Sequence, residues 1–109
     1  MAAFPCPALG TTVALDDERE RTVLTWHPEF DGRLHTLAGA TITDPDLVDQ
    51  RADRPEIGLV RFWPDFRDGC FVCVVVRADR VPGLAGYRYW VVTVYASQKV
   101  DTWKSMWER

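Results

Sequence analysis

The sequence predicts an α+β fold built on a mostly antiparallel sheet of five or six strands. Short runs rich in β-branched and aromatic residues predict the strands. Aspartate and proline residues at the ends of a segment predict a short helix near residues 45–53. An amphipathic pattern predicts a C-terminal helix near 98–107. The predicted order is β-β-β-α-β-β-β-α, and such a sheet could curl into a small open barrel or form a helix-covered sheet. The length indicates a single globular domain over residues 1–109.

Three strands are predicted before the short helix. The runs TTVAL (11–15) and RTVLTW (21–26) contain many β-branched residues, and the acidic DDERE between them has the composition of a turn. Together they predict a hairpin. RLHTLAGATI (33–42) predicts a third strand, which Gly39 weakens.

The helix near 45–53 is predicted from the residues at its ends. Asp44 can cap the helix, and Pro45 suits the first helical position. Pro55 ends the pattern, because proline disfavours a helical conformation in the residue before it. Few apolar residues lie between these ends, so we expect a surface helix.

Three stronger strands are predicted at 57–63, 70–77 and 87–96. The middle run is apolar on both faces, which predicts a central strand covered on both sides. Period two places Tyr89 and Tyr95 on a common face of the last strand. In the first of these strands, one face carries Ile57, Leu59, Arg61 and Trp63, and the other carries Gly58, Val60 and Phe62.

Cys70 and Cys73 form a C-x-x-C motif within the apolar run DGCFVCVVVR. In an extended strand their odd spacing directs them to opposite faces, where they cannot share a metal ion. Zinc knuckles and redox motifs need a turn or a helix start, which the surrounding valines disfavour. We therefore predict two buried thiols, with no metal and no cofactor.

The segment TWHPEFDGRLH supplies the alternative enzymatic hypothesis. It brings His27, Glu29, Asp31 and His35 close in sequence, and such groups can act as general acids and bases. A solvated loop with the same composition would need no catalytic role. The alternative function is thus a small enzyme or ligand-binding barrel that uses the His27–His35 loop.

A protein-binding surface is predicted around the connection ADRVPGLAG (78–86), which is long for a hairpin loop. Arginine and aromatic side chains are common at interfaces. The C-terminal tryptophans have two interpretations, because they can cover a face of the sheet or dock a partner. The candidate partner-binding residues are Arg80, Val81, Leu84, Tyr87, Tyr89, Trp103 and Trp107.

The charge, the cysteine count and the apolar runs of the sequence favour some classes of function over others. The net charge is −3, and the basic residues are scattered singly, which disfavours nucleic-acid binding. Three cysteines without framework spacing and no apolar run of membrane length predict a cytoplasmic protein. The sequence favours a small non-enzymatic module that covers a partner protein, such as a bacterial or phage inhibitor, immunity protein or accessory factor. A homodimer is a further possibility.

Overall fold

The computed structural model describes residues 1–50, 53–80 and 87–98, apart from the side chains of residues 79, 80, 87 and 88. Over this part of the chain it is a small α+β fold with a six-stranded sheet and two α-helices. The elements are β1 (Ala2–Cys6), β2 (Thr11–Leu15), α1 (Asp17–Trp26), α2 (Leu34–Thr43), β3 (Leu47–Gln50), β4 (Glu56–Trp63), β5 (Cys70–Arg80) and β6 (Tyr87–Ser97). Short 3₁₀ turns lie at Pro7–Leu9 and Pro28–Phe30.

The sheet is mixed and open. Its strand order is β1-β2-β6-β5-β4-β3, and β2 pairs in parallel with β6, whereas the other neighbouring strands are antiparallel. The barrel, one of the two forms predicted for the sheet, is therefore wrong. The parallel pair arises because helical chain and three further strands separate β2 from β6, so β6 can enter beside β2 in the same direction.

Residues 21–26, predicted as a strand, belong to helix α1. The DDERE segment begins this helix and is not a turn. The side chain of Asp16 caps it by accepting hydrogen bonds from the backbone N–H groups of Glu18 and Arg19, at 2.7 and 3.3 Å. Acidic residues in the first turn also favour the positive end of the helix dipole. These terminal effects override the β preference of the Thr-Val-Leu-Thr run.

Residues 33–42, predicted as the third strand, instead form most of helix α2. The buried side chains fit a helical period, since they lie at Leu34, Leu37, Ala38, Thr41 and Ile42. Thr41 is accommodated because its hydroxyl donates to the Leu37 carbonyl at 2.7 Å. A strand that the sequence did not predict, β1, packs against this helix and pairs with β2.

The predicted helix near 45–53 is also wrong, because Leu47–Gln50 form the edge strand β3. Asp46 does not serve a helix terminus. Its carboxylate accepts the backbone N–H of Phe62 at 2.8 Å, and its own N–H donates to the Val60 carbonyl at 2.7 Å. Both bonds extend the pairing of β3 with β4, so the acidic residue supports a strand.

Strands 57–63, 70–77 and 87–96 are confirmed as β4, β5 and β6, with β5 continuing to Arg80. The predicted faces of β4 are also confirmed. In β6 the alternation fails, because Val75 pairs with Thr93 whereas Val76 pairs with Val91. The extra residue is a β-bulge, and it turns Tyr95 to the face opposite Tyr89.

The sheet has two different faces. The face covered by α1 and α2 carries the main core, in which helical side chains such as Val23 and Ile42 pack against Leu59 and Val72. The opposite face carries a smaller cluster centred on buried Val60 and Cys73, with half-buried aromatic residues around it. The C-terminal helix predicted near 98–107 lies outside the described residues, except for Gln98, which follows the end of β6.

In the segments that the structure describes, neither helix has the length and apolar character needed to cross a bilayer.

Candidate functional site

The alternative hypothesis placed His27, Glu29, Asp31 and His35 in one loop, but in the structure the two histidines belong to two separate His–Glu pairs. The segment is not one loop, since it contains the end of α1, a 3₁₀ turn and the start of α2. His27 and His35 approach different glutamates. Asp31 is exposed and forms no side-chain contact given by the described residues.

The first pair lies at the C-terminal end of α1. Nδ1 of His27 is 3.6 Å from a carboxylate oxygen of Glu29, and the same oxygen is 3.7 Å from Nη1 of Arg67. The pair stands beside the stacked rings of Phe30 and Phe66, whose centroids are 5.5 Å apart. Glu29 therefore joins the helical segment to the turn before β5.

The second pair connects the two helices. Nε2 of His35 on α2 lies 2.5 Å from Oε1 of Glu20 on α1. The imidazole also meets the edge of Phe4, with ring centroids 5.9 Å apart and planes at 84°. His35, which is itself part of α2, thus contacts α1 and β1, and these contacts fit a structural role at the junction of the three elements.

Cys70 is the thiol nearest the first pair. It is 1% exposed, and burial raises its pKa, although the Arg67 guanidinium acts in the opposite direction. A raised pKa keeps the group as a thiol, which is a poor nucleophile. Cys70 lines a cavity of about 280 Å³ together with Arg67 and Gln98. The described geometry therefore offers a cavity beside Arg67, which contacts Glu29, but no activated cysteine.

Cys70 and Cys73 occupy opposite faces of β5, as their spacing predicted. Cys73 forms a hydrogen bond with Tyr95 on the neighbouring strand, and burial is the main reason that its pKa rises to about 12. Burial also raises the pKa of Tyr95. All three cysteines are unpaired and buried, and among the described residues no group of three or more His, Cys, Asp and Glu could hold a metal ion.

The face of the sheet opposite the helices contains the largest apolar side chains that the strands leave exposed. We call this surface the apolar sheet face and define it by Leu47, Val60, Phe62, Phe71, Cys73 and Tyr95. Leu47 is 44% exposed and Phe62 is 43% exposed. The rings of Phe62 and Phe71 meet with centroids 5.1 Å apart.

The predicted partner-binding residues occupy different positions. Arg80 and Tyr87 are paired across β5 and β6 at the end of the hairpin, and their backbone alone is described. Tyr89 is half-buried and packs against the main core, on the helix-covered side. Val81, Leu84, Trp103 and Trp107 lie outside the described residues.

Sequence reasoning did not select Leu47 or Phe62 as candidate residues, although part of the signal was present. Alternation in β4 placed Phe62 beside Val60 and away from the core residues. The same argument did not extend to Leu47, because its segment was assigned to a helix. Recognising β3 as a strand would have placed Leu47 opposite Val60, as the structure has it.

Comparison of the chain with protein-family models, with curated proteins and with solved structures found no significant match.

Proposed function

We propose that this chain is a small non-enzymatic protein-binding module that covers a partner's surface with its apolar sheet face. The observation that carries the proposal is the exposure of Leu47 and Phe62, at 44% and 43%, on the side of the sheet opposite the helices. Large apolar groups that stay in contact with water on one face favour an interaction surface. An inhibitor, an immunity protein and an accessory factor of bacterial or phage type are the classes that act in this way.

The aromatic contacts on this face suit a binding anchor. The planes of the Phe62 and Phe71 rings meet at 60°, so the Phe62 ring already has an aromatic neighbour in the free protein. Interface residues that are already ordered lose less side-chain entropy when a partner binds. Phe62 is therefore the residue whose truncation should weaken binding most.

The occupant that we propose is a different protein, whose apolar patch is bordered by basic residues. This chain has a net charge of −3. Asp46 contacts the backbone of Phe62 directly, at the border of the apolar sheet face. Exposed Asp44 and Asp53 flank β3 in sequence. Basic groups around the partner's patch would complement these charges and accelerate association.

The candidate residues predicted from the sequence extend this proposal. Seven residues are proposed as additional partner contacts because of their residue types. They are Arg80, Val81, Leu84, Tyr87, Tyr89, Trp103 and Trp107. The proposal does not rest on these seven residues, and its test does not involve them.

We also propose a cytoplasmic location. Its support is that Cys6, Cys70 and Cys73 are all unpaired thiols. Thiols persist in reducing compartments, whereas secreted domains of this size usually contain disulfides.

The test compares three tagged proteins in a lysate of the host cell. The protein with Phe62→Ser should lose the partner that the unaltered chain captures. The matched control is Trp26→Ser, because Trp26 is 76% exposed and ends α1 on the other side of the sheet. Thermal melting of each variant establishes that both remain folded.

The captured protein is then purified and titrated against the same three variants. We expect Phe62→Ser to weaken its affinity by about tenfold or more, and Trp26→Ser to leave it within about twofold. Equal binding by all three proteins would contradict the proposal. A dimer of the purified chain that dissociates on Phe62→Ser would show a second copy as the occupant and would contradict the proposed partner.

A further inference from the structure

A second surface feature lies at the other end of the β5–β6 pair, near the start of α1. It is a cavity of about 330 Å³ that is bordered by Arg19, Arg77 and Trp90, with Val91 and Val92 beside the β-bulge. A bulge bends its strand and changes the direction of neighbouring side chains. The irregularity thus occurs where a charged and aromatic concavity is formed.

The two arginines of this cavity have no carboxylate partner among the described residues, in which ion pairs are formed at five other positions. Glu56 is the cross-strand neighbour of Arg77 on β4, yet the two form no ion pair. Asp16 and Glu18 border a depression next to Arg19, and the Asp16 carboxylate is already bonded to the N-terminus of α1. Both arginine side chains are exposed, and no described carboxylate pairs with either guanidinium group.

The indole N–H of Trp90 is a hydrogen-bond donor that has no acceptor among the described residues. Its Nε1–H is buried and has no hydrogen-bond partner in the described part of the chain. Buried indole N–H groups usually find a partner, because leaving one unpaired is unfavourable. Trp90 lies directly opposite Arg77 across the β5–β6 ladder, so their side chains emerge next to each other.

We propose that this cavity binds an oxyanion, a carboxylate or phosphate group carried by a small molecule. Guanidinium groups bind such oxygens in a forked arrangement, and two of them balance two negative charges. Entry of the anion also gives the indole N–H an acceptor once the groups that cover it move aside. This site is independent of the proposed apolar sheet face, because it uses different residues at the opposite end of β5.

The test follows the indole N–H signals of the protein by nuclear magnetic resonance during titration at constant ionic strength. The probes are inorganic phosphate and acetate, added separately, and the Trp90→Phe variant assigns the Trp90 signal. We expect one of the two anions to shift this signal saturably, which also identifies the preferred oxyanion. Absence of a saturable shift with both anions would overturn the proposal.

Two further variants separate a built site from general surface charge. Arg77→Gln should weaken anion binding by about tenfold, since it removes a charged hydrogen-bond donor. The matched control is Arg21→Gln, which also removes one positive charge. Arg21 is two residues after Arg19 in α1 and therefore lies on a different side of the helix. We expect it to change affinity by less than about twofold. Equal loss in both variants would also overturn the proposal, because screening of net charge would then explain the binding.

Discussion

The ring of Phe4 on β1 packs directly against Gly39 in helix α2. A Cβ built at position 39 would lie 2.9 Å from both Cδ1 and Cε1 of Phe4. Real Cβ atoms do not approach ring carbons so closely, so any side chain at position 39 must displace Phe4. The glycine therefore lets the edge strand approach the helix, and it explains why a helix interior tolerates this residue.

We predict that Gly39→Ala destabilises the protein. Alanine is favoured over glycine in a helix interior by about 1 kcal/mol, which acts in the stabilising direction. Overpacking of a fitted contact costs about 1–3 kcal/mol. We therefore expect a net loss of up to about 2 kcal/mol in the free energy of unfolding, measured by urea denaturation.

The control for this prediction removes the obstructing ring. In a Phe4→Leu background the close approach is relieved, so Gly39→Ala should become neutral or stabilising as its helix preference emerges. Destabilisation by Gly39→Ala of the same size in both backgrounds would show that the Phe4 contact is not its cause.

The C-terminal strands could be predicted from sequence because burial and local preference agree there. Five of the seven residues of β5 from Cys70 to Val76 are buried, and the valines of this strand prefer extended backbone. Alternation then placed Cys70 and Cys73 on opposite faces correctly. The bulge at Val92 could not be predicted, because it depends on the pairing of β6 with β5.

In the N-terminal half, the predicted strand at residues 11–15 is confirmed as β2. The other predicted elements of this half are wrong, because local preference and tertiary packing disagree there. Helix α2 contains Thr and Gly, which disfavour helices, and its helical signal is the spacing of its buried residues. Asp44 and Pro45, which precede β3, have the pattern of a helix start, yet the residues that follow pair with β4 as a strand. Residues typical of helix ends, without an apolar stripe between them, were insufficient evidence for a helix.

The structure separates the residues of the His27–His35 hypothesis. Sequence proximity suggested that His27, Glu29 and His35 act together, but the 3₁₀ turn and helix α2 direct His35 to Glu20. The Glu20 contact joins residues 15 positions apart in sequence, so it requires knowledge of how α1 and α2 pack.

The two His–Glu pairs give the second prediction, which is tested with a double-mutant cycle. We expect Glu20→Gln and His35→Ala to show a coupling energy of about 0.2–1 kcal/mol, as is usual for exposed or half-exposed pairs. The free energies of unfolding of the two single variants and the double variant supply this value.

The matched cycle combines His35→Ala with Glu29→Gln. These residues share no contact among the described interactions, so their effects should add within about 0.5 kcal/mol. Strong coupling between His35 and Glu29 would restore the single site that the sequence suggested and would favour the enzymatic alternative.

The contact between Cys73 and Tyr95 predicts a loss of stability at alkaline pH. Burial raises the pKa of Cys73 from 9.0 to about 12, and Tyr95 and Asp49 are the ionisable groups that act on it. Below pH 9 the thiol is protonated in both the folded and unfolded chains. Above pH 9 the unfolded chain releases the proton whereas the folded chain retains it until about pH 12. The free energy of unfolding should therefore fall as pH rises through this interval.

Replacement of the thiol isolates its share of this effect. Cys73→Val keeps roughly the same side-chain volume and removes the ionisable group. Measured by urea denaturation between pH 8 and pH 11, the free energy of unfolding of this variant should fall less steeply with pH. The difference in slope should correspond to about one proton fewer released per molecule unfolded. Tyr95 remains and keeps part of the slope, since burial also raises its pKa. Val60→Ala is the matched control, because Val60 lies opposite Cys73 on β4 and its truncation lowers stability without removing a titrating group. An alkaline slope that is unchanged by Cys73→Val, or reduced equally by Val60→Ala, would show that the buried thiol does not determine the pH dependence.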